Sequence, residues 1–214
     1  MNVLILISEV VISYIFLLIV YKKYKEEGIR IWMVTALILS SIMSIKTIEI
    51  MGANISLGIG LGTSIYIANN ILIQKKGTEY INDIFKLVSV SGILLVIIVM
   101  VSKLLTSNLN DIYNIIFVSN IKYIIANIAS IIIALYINNK IYYQLRKIKN
   151  KIWISNIMSS CIFNFVEVLM FIVIAYNYVD TLYIVMLSLV VKYLIKLVVS
   201  VAGTNIIYIA NDYK

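Results

Sequence analysis

The sequence predicts an all-α protein, a polytopic bundle of transmembrane helices. Three observations predict it. The 214 residues are 62% hydrophobic and 13% charged, against about half apolar and a quarter charged in a soluble globular chain. Mean hydropathy is +1.01. The apolar residues also gather in runs of about 20, the length a helix needs to cross a hydrocarbon layer roughly 30 Å thick. Such a composition excludes a disordered chain, a secreted disulfide scaffold and a free-standing nucleic-acid-binding domain. The lone Cys161 cannot form an internal disulfide, and the absence of His removes His-based zinc sites, Ser-His-Asp triads and His proton relays.

Seven runs are expected to span. The first, Val3–Tyr21, lacks a basic leader and reads as a span, not as a cleaved signal peptide. The second is Ile31–Met51. The third, Ile55–Ile73, is the most polar, with Gly58, Gly60, Gly62, Asn69 and Asn70. The fourth and fifth are Leu87–Leu105 and Ile112–Ile137. The sixth is Ile152–Tyr176, and the seventh, Leu182–Ala210, is long enough to tilt or to extend into the cytoplasm. With no Pro in the chain, helix breaks are expected at Gly or Asn.

Loop charges orient the bundle. Lys22, Lys23, Lys25 and Arg30 follow the first run, Lys75, Lys76 and Lys86 the third, and Lys140, Arg146, Lys147, Lys149 and Lys151 the fifth. The intervening loops, Gly52–Asn54, Thr106–Asp111 and Asn177–Thr181, carry no Lys or Arg. Basic loops face the cytoplasm, so the N-terminus is expected outside and the C-terminus inside. A six-span count without the third run would put basic loops on opposite sides. The expected organisation is one transmembrane domain over residues 1–214. The basic stretch Asn139–Lys151 is expected to lie near anionic lipid head groups.

Ionisable residues inside spans are costly and mark cavities or partners. Here they are Glu9, Lys46, Glu49, Lys122, Glu167, Lys192 and Lys196. Helical periodicity groups them with other polar residues. Asn156, Ser160, Asn164, Glu167 and Phe171 share one face of the sixth run. Ser188, Lys192, Lys196 and Ser200 share a face of the seventh, and Thr63, Tyr66, Asn70 and Gln74 one of the third. Asn120, Tyr123, Asn127 and Ser130 share a face of the fifth. Depth along the spans puts Glu167 and Lys192 at similar levels, so an ion pair between them is expected, with Lys196 deeper, near the midplane. Asn120, Asn127, Ser188 and Ser200 read as packing glue between helices. Lys46, Glu49, Lys122 and Glu9 read as interfacial.

The stretch Leu145–Tyr176 resembles the queuosine precursor transporter family, a group of small bacterial vitamin-uptake-like membrane proteins. Leu145-Arg146, Trp153, Ser159-Ser160, Glu167, Phe171 and Ile174-Ala175-Tyr176 stand at the family's spacing, with Glu167 where the family usually has Asp. Lys46, Lys196, Thr204 and Tyr208 match more weakly. Asn70 and Gln74 stand where the family's third-span motif has acids. The resemblance implies import of a 7-deazaguanine base, such as 7-cyano-7-deazaguanine, its aminomethyl form, or queuine.

The chemistry of the residues suits that class. One carboxylate, Glu167, can accept both N–H groups of a guanine-like edge. Asn70, Gln74, Asn156 and Asn164 can complete the hydrogen bonding, Tyr66 or Phe171 can stack on the ring, and Lys196 can balance the acid or engage the carbonyl oxygen. No cofactor or metal is expected, and no nucleic-acid partner; a homo-oligomer stays open.

The main alternative is a vitamin-binding subunit of an energy-coupling-factor-type importer, which borrows an ATPase partner. The first run offers only Ser8 and Ser13 as small residues for such a docking face. No P-loop is present, and Gly58, Gly60 and Gly62 inside a span read as a flexible or closely packed helix segment. An enzyme is not expected, because paired acids at catalytic spacing are missing.

Overall fold

Backbone groups inside a bilayer must be bonded within the chain, and helices do this locally. A computed structural model describes residues 2–102, 120–148, 151–175 and 182–212. They form helices α1 (Asn2–Met43), α2 (Ile59–Ser102), α3 (Ile121–Ile148), α4 (Ile152–Ala175) and α5 (Leu182–Asp212), with strands β1 (Thr47–Ile50) and β2 (Ala53–Ser56) between α1 and α2. A polytopic helical bundle is therefore observed.

Among the described residues, the stretches long and apolar enough to cross a membrane are Asn2–Met43, Tyr80–Ser102, Ile121–Ile148, Ile152–Ala175 and Tyr183–Asp212. These are five where the apolar runs number seven, for two reasons. The first two runs share α1, whose 42 residues would span about 63 Å if straight. The helix instead breaks at Lys25, which holds φ 51 and ψ −132, and not at the Gly or Asn expected to supply a break. A Cβ added at Gly28 would strike the carbonyl oxygen of Val20, so the two arms fold back on each other. The third run forms the first arm of α2, which breaks at Gly77 with φ 75 and ψ −167. That arm is too polar to qualify by hydropathy. Every residue from 62 to 73 in it is buried. It is enclosed by protein on all sides, so lipid does not select its side chains.

The two breaks lie together. Lys76 pairs with Glu26 at 3.4 Å, Lys75 sits over the Tyr21 ring at 5.3 Å, and the Arg30 guanidinium covers Tyr80 at 4.4 Å. The lysine-rich turns after the first and third runs thus share one end of the bundle.

The second run differs from expectation in its last third. The helix stops at Met43, and the chain turns into an antiparallel hairpin with Ile48 opposite Ile55 and Ile50 opposite Ala53. Its two-residue turn, Met51-Gly52, has positive φ at both positions (54° and 76°), the backbone that matches strand twist in hairpins. Lys46 and Glu49 are therefore exposed residues of this hairpin region, not neighbours on a helix turn. The fifth run extends further than its apolar pattern, to Ile148. Residues 103–119, where the fourth run ends and the fifth begins, lie outside the described residues, as do Lys149, Tyr176 and the loop 177–181.

Packing follows chain order: α1 lies along α2, α3 along α4 and α4 along α5. In the first arm of α1, Leu6, Val10, Tyr14, Leu17 and Tyr21 face inward. Val3, Ile7, Val11, Ile15 and Ile19 are about half exposed. Such an apolar outer surface would be an aggregation hazard in water and is the expected lipid face of a span.

Candidate functional site

The first arm of α2 is the axis on which the polar residues converge. Tyr66, Asn70 and Gln74 line one of its stripes, and each meets a different level of α3, α4 and α5. At the first level, Lys196 of α5 donates to Glu167 of α4 at 2.5 Å, with side chains only 3% and 4% exposed. Depth counted along the spans points to Lys192, but the packing of α4 on α5 brings Lys196 to the acid instead. Lys192 donates to the Ser56 hydroxyl at 2.9 Å and lies 3.2 Å from the centre of the Phe171 ring. Tyr66 stacks on Phe163 at 4.4 Å with a 36° tilt, and its hydroxyl is close enough to Glu167 to feel the carboxylate charge.

One turn away, Asn164 donates to the Ser200 hydroxyl at 2.9 Å. At the next level, Asn156 donates to the Ser200 carbonyl at 3.0 Å and to Thr204 at 2.8 Å. Asn70 donates to Asn156 and accepts from Asn138, both at 2.9 Å. At the lysine-rich end, Gln74 donates to the Tyr142 hydroxyl and accepts from Asn211 at 2.8 Å. The site residues therefore form a column along the bundle interior, not one cluster. Asn156 precedes Glu167 by eleven residues, or about 16 Å of helix.

Buried polar atoms are normally hydrogen-bonded, so the exceptions are informative. Among the described residues, Glu167 Oε2, Tyr66 OH, Asn164 Oδ1, Ser160 Oγ, Ser188 Oγ, Asn138 Oδ1 and Arg30 Nε are buried without a partner. Ser160, Asn164 and Glu167 share one face of α4, and Ser188 lies one turn from Lys192 on α5. Tyr66 and Phe171, expected to stack on a ring, are both covered in this conformation, by Phe163 and by Lys192.

Asn138 and Tyr142 belong to this architecture and were not singled out from the sequence, and Glu9 belongs to it in a role other than the one expected. Asn138 and Tyr142 continue the α3 stripe of Asn127 and Ser130, but they lie beyond the end of its apolar run. Asn127 itself donates to Ser40 and Ser41 at 3.1 and 3.2 Å, the packing role expected of it. Glu9 was read as interfacial. Its carboxylate accepts from the backbone N–H groups of Gly60 at 3.0 Å, Leu61 at 3.3 Å and Gly58 at 3.4 Å. It caps the central helix from a neighbouring one, meeting donors that a helix start leaves free and the positive end of its dipole. Gly60 is needed for this approach, because a Cβ there would lie 2.8 Å from Val10 Cα. Glu9→Gln keeps the shape and removes the charge. It is expected to cost about 2 kcal/mol, read as a lowered unfolding temperature in detergent.

A buried ion pair and a ladder of amides enclosed by lipid-facing helices define a class, the polytopic membrane proteins that handle a polar solute in their interior. Sequence comparison supplies the family. Residues 56–210 match the family described as "Putative vitamin uptake transporter", and the chain belongs to it. It is a membrane transporter of the vitamin-uptake type, as the resemblance in the sixth run implied. No curated protein matches the chain, and no solved structure matches it.

Proposed function

We propose that this transporter imports a 7-deazaguanine base, a precursor of queuosine, across the bacterial cytoplasmic membrane. One observation carries the reading: Glu167 uses one oxygen for Lys196 and leaves the other buried and unpartnered. A guanine-like edge presents adjacent N–H donors that a carboxylate accepts together, while its carbonyl oxygen suits a lysine or an amide. Lys196 and Asn164 supply these within one turn of the acid. The acid is almost fully enclosed, so the base reaches it when the helices part, as in alternating access.

The proposed topology is seven crossings, with the N-terminus outside and the C-terminus in the cytoplasm. It is supported by the helix breaks at Lys25 and Gly77, which fall in the lysine-rich turns and lie together at one end.

The test is binding to the purified full-length protein of 7-cyano-7-deazaguanine, its aminomethyl form, queuine, guanine, riboflavin and thiamine. At least one deazaguanine is expected to bind more than tenfold tighter than riboflavin or thiamine. Tightest binding of riboflavin or thiamine overturns the substrate assignment. Uptake by the chain alone in vesicles is also expected. A strict need for an ATPase would instead make the chain the binding subunit of a larger importer.

A further inference from the structure

The second arm of α2 and the end of α3 meet along a surface seam that the transport column does not use. Its first part is a cleft of about 440 Å³ lined by Asn82 and Phe85 on α2 and by Tyr136, Lys140, Tyr143 and Gln144 on α3. The Lys140 ammonium lies 4.4 Å from the Tyr136 ring centre, and Lys147 lies 4.4 Å from that of Tyr143. Phe85 packs on Tyr136 at 5.9 Å. No acidic residue lines the cleft, and the nearby Asp83 pairs with Lys86 at 3.6 Å.

Between the same two helices runs a second cleft of about 300 Å³, lined by residues such as Val96, Ile97, Ile128 and Ala129. Its lining is entirely Ile, Val and Ala. The helices run antiparallel here, and Phe85 and Val96 are eleven residues apart, about 16 Å along the helix. The seam between these two helices therefore carries a cationic, aromatic and amide-lined cleft near the lysine-rich turns and a separate, wholly apolar cleft about half a bilayer deeper.

We propose that this seam is a binding site for an anionic glycerophospholipid of the leaflet on the lysine-rich side. Lys140, with Asn82 and Gln144, receives the phosphate and the charged head group, with Lys147 adding positive potential. The apolar end receives an acyl chain. A free base or a soluble anion would use the first cleft and leave the second unexplained. The site is independent of the substrate assignment.

The test equilibrates the purified full-length protein with vesicles of phosphatidylglycerol and phosphatidylcholine in equal parts, and native mass spectrometry reads the retained lipid. Phosphatidylglycerol is expected to be retained preferentially. Lys140→Gln is expected to weaken retention about fivefold, and Lys140→Gln with Lys147→Gln about twenty-five-fold, while Lys140→Arg keeps it. Lys140 is exposed, so these variants leave the core intact. Ala129→Phe fills the apolar end and is expected to displace both lipids. Equal retention of the two lipids, or unchanged retention in Lys140→Gln, overturns the proposal. So does displacement of phosphatidylglycerol by inorganic phosphate or by guanine alone, which would make the cleft a site for a free anion or for a base.

Discussion

Glu167→Gln is expected to abolish uptake and to lower stability by about 3–5 kcal/mol, because it leaves the Lys196 ammonium buried without its counter-charge. The pair is 2.5 Å apart and almost wholly enclosed, so water cannot replace the lost partner. The double variant Glu167→Gln with Lys196→Gln removes both charges and is expected to recover most of that stability while uptake stays absent. This pattern separates function from folding: unfolding temperature in detergent follows the pair, and vesicle uptake follows the acid. Full uptake by the double variant removes Glu167 from the transport site. Unchanged stability in the single variant means that the pair does not hold in the membrane.

Asn70 carries the second large effect. It donates to Asn156 and accepts from Asn138, so Asn70→Leu strands a buried acceptor and a buried donor at once. Each stranded group costs about 1–3 kcal/mol, and a total loss of about 3 kcal/mol is expected. Asn70→Asp restores the acid that the resembling family carries here, yet it is expected to be destabilised by at least 1 kcal/mol. The new carboxylate would face the Asn156 carbonyl oxygen, and the Asn156 amide group is already committed to Ser200 and Thr204. Thermal unfolding checks both variants, and an Asn70→Asp protein as stable as the parent contradicts the network. The amides at 70 and 156 thus form a matched set.

Much of this was legible in the residues. Apolar runs marked the helices, and alternating loop charge grouped the lysine-rich turns that the structure brings together around Glu26 and Lys76. The i, i+4 stripes on α4 and α5 put Glu167 on one polar face and Lys192 with Lys196 on another, because helical periodicity is a local property, but depth counted along the spans matched the acid to the wrong lysine. Three features were not legible. Met43 ends a helix inside a continuous apolar run, since the hairpin that follows is stabilised by cross-strand pairing and by contact with α5 through Ser56 and Lys192. Asn138 and Tyr142 look like cytoplasmic residues until α3 is seen to continue past Ile137. Glu9 looks interfacial until Gly58 and Gly60 are brought beside it.

The sequence by itself determined that this is a multi-helix membrane protein, which helix faces are polar and which end is basic. Those properties follow from composition and from a geometry that repeats every few residues. Only the tertiary structure decided that the polar arm of α2 stands at the centre and that Lys196 rather than Lys192 holds Glu167. It also decided that the amides form a ladder, because each depends on which helices become neighbours. Neighbour choice is set by close packing between surfaces far apart in the chain, of which no single run of residues carries a record.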